Sequence, residues 1–250
     1  MSGHSKWSTI KRQKGVNDAR RGAAFTKVSR EISVAARAGG GDPDANYRLR
    51  LAMDKARSVN MPVDNIKRAI EKATGGGDGE QFEEVIYEGY GPGGVAILVE
   101  AATDNRNRTA ADVRAIFTKA GGQLAGSGAV AWQFEPRGLI TIPANGQDPD
   151  DVALAAIDAG AEDVDTSGDE VVEVYTTPGG LEQVRKALDG AGVPVESAEN
   201  TMIAKNTVEV DEHRARQNLR LVELLEDLED VQRVTANFDI PEELFAEVAG

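Results

Sequence analysis

The residues best suited to a chemical task are the lysines and arginines near the start of the chain. Residues 1–74 hold 16 Lys and Arg against 7 Asp and Glu, a net charge of +9. The remaining 176 residues hold 12 against 35, a net charge of −23. Basic groups without nearby acids bind phosphate oxygens. The asymmetry predicts a nucleic-acid-facing module, which the overall charge of −14 would conceal.

Uncompensated positive charge is densest in residues 1–37, which hold nine basic and two acidic residues. Residues 1–14 are predicted to form a flexible basic arm, in which Trp7 is interpreted as a packing anchor in preference to a base-stacking platform. The alternative, that these basic side chains only solvate helix surfaces, stays open. The predicted nucleic-acid contacts are Lys6, Lys11, Arg12, Lys14, Arg20, Arg21, Lys27, Arg30, Arg37, Arg48, Arg50, Asn105, Arg106 and Arg108.

The last three of these residues lie in a loop with the sequence TDNRNRT at 103–109, between a predicted strand and a predicted helix. Asn105 could simply cap that helix. Arg106 and Arg108 could instead combine with the helix N-terminus to bind a phosphate. The sequence leaves both interpretations open.

Catalytic side chains are few. The chain has no cysteine and only two histidines, His4 and His213, which excludes disulfides, thiolate metal sites and Cys–His pairs. Acidic residues are abundant, but many, such as Asp148, lie at predicted helix starts where Asp caps. The GYGPGG segment at 89–94 lacks the Gly-Lys-Ser/Thr of a phosphate loop. We predict a non-enzymatic protein with no cofactor and no metal.

Three helices are expected to carry the basic surface. The first follows Asn17 and Asp18 and stops at the glycines of 39–41. The second is predicted to start with Asp42 as cap and Pro43 as first residue, and the third to follow Pro62. Their inner stripes are Phe25, Val28, Ile32 and Ala35, then Leu49, Ala52, Met53 and Ala56, then Val63, Ile66 and Ile70.

Beyond a linker at 74–80 the hydrophobic period becomes that of strands. Strands are predicted at 82–90, 95–103 and near 129–135, with a helix near 106–120. From 138 to about 204 the order is βαββαβ, a ferredoxin-like unit, and a helix at 212–228 and a final strand follow. The predicted class is α+β, with three domains. These are a helical domain at 1–75, a discontinuous α+β domain at 80–136 and 205–250, and an inserted ferredoxin-like domain at 137–204.

Several long runs of the sequence are distinctive, among them GHSKW at 3–7, DKARSVNMP at 54–62, YEGYGPGGVAILVE at 87–100 and LLEDLEDVQRVTANF at 224–238. In these runs the chain resembles the YebC/PmpR family, and the resemblance covers nearly the whole chain. The resemblance implies one helical and two α+β domains and a non-enzymatic role in gene expression. It also implies one of two activities: members are labelled DNA-binding transcriptional regulators, or described as ribosome-associated factors, and a mitochondrial relative is a translational activator.

The expected partner is therefore nucleic acid, either DNA or ribosomal RNA, with the ribosome as a candidate. Ribosomal RNA is physically preferred, because no helix-turn-helix is evident and a basic arm suits folded RNA. A metal-dependent hydrolase and a protein-interaction scaffold are the alternatives of other classes. The chain has no apolar stretch of membrane-spanning length and no secretory signal core, so a cytoplasmic protein without a membrane partner is expected.

Overall fold

The computed structural model of the protein describes residues 18–75, 81–144, 146–168, 171–240 and 244–245. The chain forms two compact units. The larger unit contains the described residues of 18–133 and 208–240, and the smaller unit those of 134–207 together with 244–245. Within the described ranges, no helix combines the length and apolarity that a membrane span requires.

The larger unit begins with three helices, α1 (Asp18–Gly39), α2 (Tyr47–Ser58) and α3 (Val63–Thr74). Helix α1 ends as the glycine run predicts. Gly40 adopts a φ of +87°, and its N–H donates to the Ala36 carbonyl at 2.8 Å. The predicted start of α2 at Pro43 is wrong, because the helix begins four residues later at Tyr47.

The start of α2 is displaced because Asn46 serves two helix ends at once. Its Oδ1 accepts from the Leu49 N–H at 3.1 Å, and its amide donates to the carbonyls of Ala35 and Gly40 at 2.8 Å each. Asp42 caps only a turn, by accepting from the Asp44 N–H at 2.9 Å. A buried residue that satisfies both helices therefore outcompetes the local Asp-Pro signal.

Apolar side chains from all three helices form one core, as the predicted stripes require. Val63 is the exception: it is 61% exposed at the first position of α3, whereas Met61, two residues earlier, is buried in the core. The prediction that Val63 is buried is therefore wrong, and Met61 occupies the core instead. The buried members of the core are Val28, Ile32, Ala35, Ala36, Leu49, Ala52, Ala56, Met61 and Ile66.

The rest of the larger unit is a four-stranded antiparallel sheet with two helices. Its elements in chain order are β1 (Glu83–Tyr90), β2 (Ala96–Thr103), α4 (Arg106–Lys119), β3 (Gln123–Leu124), α7 (Glu212–Glu226) and β8 (Val231–Ala236). The strand order is β3-β1-β2-β8, so the chain leaves this sheet after β3 and returns to it at β8. The central strand β2 is buried at seven of its eight positions.

The smaller unit is a second antiparallel sheet with two helices. Its elements are β4 (Phe134–Pro143), α5 (Pro149–Asp158), β5 (Asp163–Asp165), β6 (Val171–Thr176), α6 (Leu181–Gly190) and β7 (Ser197–Ala204), with strand order β5-β6-β4-β7. The predicted α+β class is confirmed. The ferredoxin-like assignment and the domain bounds stay predictions.

The predicted strand near 129–135 is wrong. Residues 126–130 form turns, Ala131–Gln133 forms a short 3-10 helix, and β4 begins only at Phe134. The apolar alternation of AVAWQFE imitates a strand, but the backbone N–H groups here donate to a side chain instead of a neighbouring strand.

Candidate nucleic-acid interface

The predicted basic arm lies outside the described residues, so Lys6, Lys11, Arg12 and Lys14 stay predictions. Arg20 and Arg21 lie in the first turns of α1, and their contacts with nucleic acid stay predictions.

Three predicted contacts lie on or beside the helices. Arg37 is exposed in the last turn of α1. Arg48 is exposed and forms a two-pronged ion pair with Glu84 of β1, whose hydrogen bonds raise the pKa of the guanidinium. Arg50 is half-buried, donates to the Pro43 carbonyl at 2.9 Å and lies over the Tyr47 ring. Arg37 is therefore the residue of these three best placed to meet a phosphate.

Two other predicted contacts converge on one buried carboxylate, Asp230, between α7 and β8. Arg30 of α1 donates from Nη1 to Asp230 Oδ1 at 2.7 Å, and Arg108 of α4 donates from Nη2 to Oδ2 at 3.0 Å. The Thr109 hydroxyl donates to Oδ2 at 2.6 Å, and Thr103 Oγ1 lies 3.4 Å away. We call these five residues the Asp230 centre. It joins elements that are 121 to 200 residues apart in sequence.

Electrostatics keep the Asp230 centre ionised. Burial raises the pKa of Asp230, but hydrogen bonds from Thr109 and Arg108 and the charge of Arg30 outweigh it, so that this pKa is lowered. In turn, Asp230 is the main reason that the pKa of Arg108 is raised. Both arginines are thus paired with the same acid of their own chain.

A cleft of about 440 Å³ opens beside this centre. Acids make up five of its ten lining residues and arginines only two, so the cleft as a whole carries negative charge. Asp104 lies 2.7 Å from Arg108, and Glu229 lies 3.6 Å from Arg30. A phosphate would have to displace acids here. In the described part of the chain, no group of three or more His, Cys, Asp or Glu side chains is arranged to hold a metal ion.

The loop at 103–109 shows the cap geometry directly. Asn105 has an extended backbone, and its Oδ1 accepts from the Arg108 N–H at 3.1 Å, at the start of α4. Arg106 is 63% exposed, with Glu83 at 3.7 Å. Asn105 therefore orders the helix start, while Arg106 holds the most accessible guanidinium of the loop.

Lys27, the remaining predicted contact, is half-buried on α1. Its ammonium group donates to the carbonyl of Glu226, the last residue of α7. A cation at a helix C-terminus is favourable there. Lys27 and Arg30 thus both join α1 to the C-terminal end of α7 and the residues after it.

Sequence reasoning missed Asp230, the residue that organises these arginines. The available signal was an acid directly before an apolar strand, together with two threonines that flank the TDNRNRT loop. No feature of the sequence near Asp230 indicates that it pairs with Arg30, which is 200 residues away.

The fold and the site define a protein with a basic three-helix module, two antiparallel sheets and surface arginines. Two family models match it: the TACO1/YebC protein N-terminal domain over residues 5–76, and the TACO1/YebC second and third domain over residues 82–238. The chain belongs to the TACO1/YebC family, which confirms the resemblance predicted from its motifs.

Relatives match over nearly their full length. A "Probable transcriptional regulatory protein" of Roseiflexus castenholzii is 59% identical over 98% of this chain and 97% of its own. One of the same name from Rubrobacter xylanophilus is 55% identical over all of both chains. A solved structure of a conserved hypothetical protein, Aq1575, from Aquifex aeolicus is 51% identical, with a TM-score of 0.86 over 91% of this chain and 93% of that one.

Proposed function

We propose that this protein is a non-enzymatic regulator of gene expression that binds nucleic acid through its basic N-terminal part. The observation that carries the proposal is the charge division, +9 in residues 1–74 against −23 in the remainder. A phosphate backbone is attracted to the first part and repelled by the second, so the charge pattern also orients the protein on its ligand. The names of the relatives support a regulatory role.

Arg37 and Arg106 are the proposed direct contacts among the described residues, because both are exposed. Lys27, Arg30 and Arg108 are engaged with backbone and carboxylate groups of their own chain. They are proposed to fix the position of α1 and α4, on which the exposed contacts lie. The proposed roles of Arg48 and Arg50 are secondary, since Glu84 and Pro43 already accept their hydrogen bonds.

The names of the relatives favour DNA as the ligand, whereas the helix sequences favour folded RNA, including ribosomal RNA. Helices α2 and α3 are separated by only four residues, which is the spacing of a helix-turn-helix. A recognition helix, however, meets base edges with its first residues. Helix α3 begins Val63-Asp64-Asn65, and an acid at this position repels the phosphates that flank a groove. Contacts to backbone shape suit RNA without needing such a helix.

Two other classes have less support. A metal-dependent hydrolase needs clustered ligands, and the described ranges contain no such cluster. A protein-interaction scaffold does not account for uncompensated positive charge.

Crosslinking in cells, followed by sequencing of the bound nucleic acid, tests the proposal. Recovery of ribosomal RNA would support a role of the protein in translation, and recovery of promoter DNA would support a role in transcription. Arg37→Glu is the variant that should lose crosslinking. Arg114→Glu, which replaces an exposed arginine of α4, is the matched control. Crosslinking that is absent, or equal in both variants, would contradict the proposal.

A further inference from the structure

Helix α5 of the smaller unit presents two large aliphatic side chains to solvent. Leu154 is 63% exposed and Ile157 is 57% exposed. They lie three residues apart, so they are neighbours on one face of the helix. Val152 and Ala156 lie on the opposite face and are buried, so the helix is held in its unit without Leu154 or Ile157. The outward face of α5 therefore has apolar surface that the fold does not use.

Three exposed carboxylates surround this apolar pair on the same helix face. Asp150 and Asp158 lie four residues before and after Leu154, and Asp151 lies three residues before it. Within the described residues, no ion pair engages any of the three. An acid in the first turn of a helix favours its dipole, which accounts for Asp150 and Asp151. Asp158 lies in the last turn, where an acid opposes the dipole, so helix stability does not account for it.

The segment that contains α5 adds negative charge and no positive charge. Residues 138–184 contain eleven Asp and Glu and no Lys, Arg or His. The flanking cations Arg137 and Lys186 are already paired with acids of their own unit, and Arg185 is half-buried. Nucleic acid and anionic lipid surfaces are therefore repelled here, whereas a cationic ligand is attracted.

We propose that the outward face of α5 is a docking surface for a basic segment of another protein, in which lysines or arginines flank one or two apolar side chains. The aliphatic stems of Lys and Arg cover apolar surface while their charged heads reach carboxylates. Leu154 and Ile157 supply the apolar contact, and the three aspartates supply the charge complementarity.

The chemistry of this face excludes simpler occupants. Two copies of the chain that met through α5 would bring like charges together. An uncharged apolar peptide would leave the carboxylates without partners. A patch of this size suits a weak, transient contact. The inference goes beyond the proposed function, because it concerns the smaller unit and a protein ligand.

The test uses the full chain and a fluorescent peptide of about 12 residues, in which lysines surround two leucines at positions i and i+3. Two control peptides replace the leucines by serines or the lysines by glutamates. Fluorescence anisotropy measures the Kd, and amide chemical shifts locate the bound peptide. We expect the peptide with leucines and lysines to bind most tightly, with shifts in residues 150–158.

Variants of α5 separate the apolar contribution from the charged one. Leu154→Ser with Ile157→Ser should raise the Kd about 10-fold or more, because two aliphatic side chains no longer leave water. Asp150→Asn with Asp158→Asn should raise it about 2- to 30-fold and reduce its salt dependence. Each variant should melt as the parent does, because all four side chains are exposed.

Two variants of the larger unit serve as controls. Ile86→Ser removes another exposed aliphatic side chain, and Arg37→Glu removes a proposed nucleic-acid contact. Both should leave the Kd for the peptide unchanged. Because Arg37→Glu affects only the proposed function, failure of the docking surface and failure of that function are distinguishable.

Three results would overturn the inference. The first is a parent protein that binds the serine-substituted peptide as tightly as the peptide with leucines. The second is a Kd that Leu154→Ser with Ile157→Ser leaves unchanged. The third is peptide binding that occurs only after Lys11, Arg12 and Lys14 are changed to Glu, since the occupant of α5 would then be a basic segment of the chain itself.

Discussion

Asp230 and Glu88 are buried carboxylates of the same unit that are satisfied by different kinds of donor. Asp230 accepts from two arginines and a threonine on α1 and α4. Glu88 accepts from three backbone N–H groups of one loop. A carboxylate that pairs with cations can join elements far apart in sequence, but it also neutralises charge that would otherwise attract phosphate. A carboxylate that pairs with amides shapes its loop without using any basic residue.

The comparison explains why a basic residue in this sequence is not automatically a nucleic-acid contact. Arg30 is 12% exposed and belongs to the internal framework, whereas Arg37, seven residues later on the same helix, is exposed. The composition of the basic segment does not show which of these two arginines is exposed.

The largest expected effect is that of Asp230→Ala. The substitution leaves the partly buried guanidinium of Arg30 without its closest acid and removes the buried acceptor of Arg108 and Thr109, so we expect a loss of about 3 kcal/mol in the free energy of unfolding. Denaturant unfolding monitored by circular dichroism measures it. The control is Glu229→Ala, whose side chain is 68% exposed and which should change stability by less than about 0.5 kcal/mol. Equal effects of the two variants would mean that the Asp230 centre does not hold α1 in place.

Replacing Glu88 should cost less, because no cation is left unpaired. Glu88→Gln retains the shape but provides one oxygen for three N–H donors, and we expect a loss of roughly 1–3 kcal/mol. Asp112→Asn, at an exposed position of α4, is the control. Amide hydrogen exchange should accelerate at Gly128, Val130 and Ala131. Unchanged exchange there would contradict the anchoring role.

The pH dependence of stability should distinguish Glu88 and Asp230 from the exposed carboxylates of the protein. Burial raises the pKa of Glu88, but its three backbone donors outweigh it and the net pKa is lowered, as it is for Asp230. A lowered pKa gives stability that is present above the unfolded-state values, about 4.3 for Glu and 3.9 for Asp, and is lost as the pH falls through the folded-state value. Melting temperatures should therefore fall less between pH 7 and acid in Glu88→Gln and Asp230→Asn than in the parent. Parallel pH profiles for all three proteins would show that neither carboxylate is linked to folding.

The smallest expected effects concern the loop at 103–109. Asn105→Ala removes a helix cap and should cost about 1 kcal/mol. Arg106→Ala should change stability by less than about 0.5 kcal/mol yet weaken nucleic-acid binding, because its side chain is exposed. Arg108→Ala is not an equivalent test, since Arg108 contacts Asp230. Full binding by a destabilised Arg106→Ala would assign Arg106 to structure.

Most local features of this chain were predictable from its sequence, whereas pairings between distant residues were not. The start of α2 was mispredicted because its cap, Asn46, also binds the end of α1. The cap at Asn105, the stop at Gly39 and the apolar stripes depend on residues within a few positions of one another. The partners of Asp230 lie 121 or more residues away, so no window of sequence contains them. The strand predicted near 129–135 was wrong for the same reason, because the donors of this loop are satisfied by Glu88, about 40 residues earlier.

The most direct test of the central claim is the salt dependence of nucleic-acid affinity in two charge-matched variants of the full chain. One is Arg37→Glu with Arg48→Glu, both exposed in the basic part. The other is Arg114→Glu with Lys186→Glu, both exposed in the acidic part, where Lys186 has an acidic partner as Arg48 does. If the basic part carries the phosphate contacts, the first variant should flatten the slope of log affinity against log salt by at least about 0.7–0.9, the share of Arg37, and the second should leave it unchanged. Equal flattening in both variants would contradict the account.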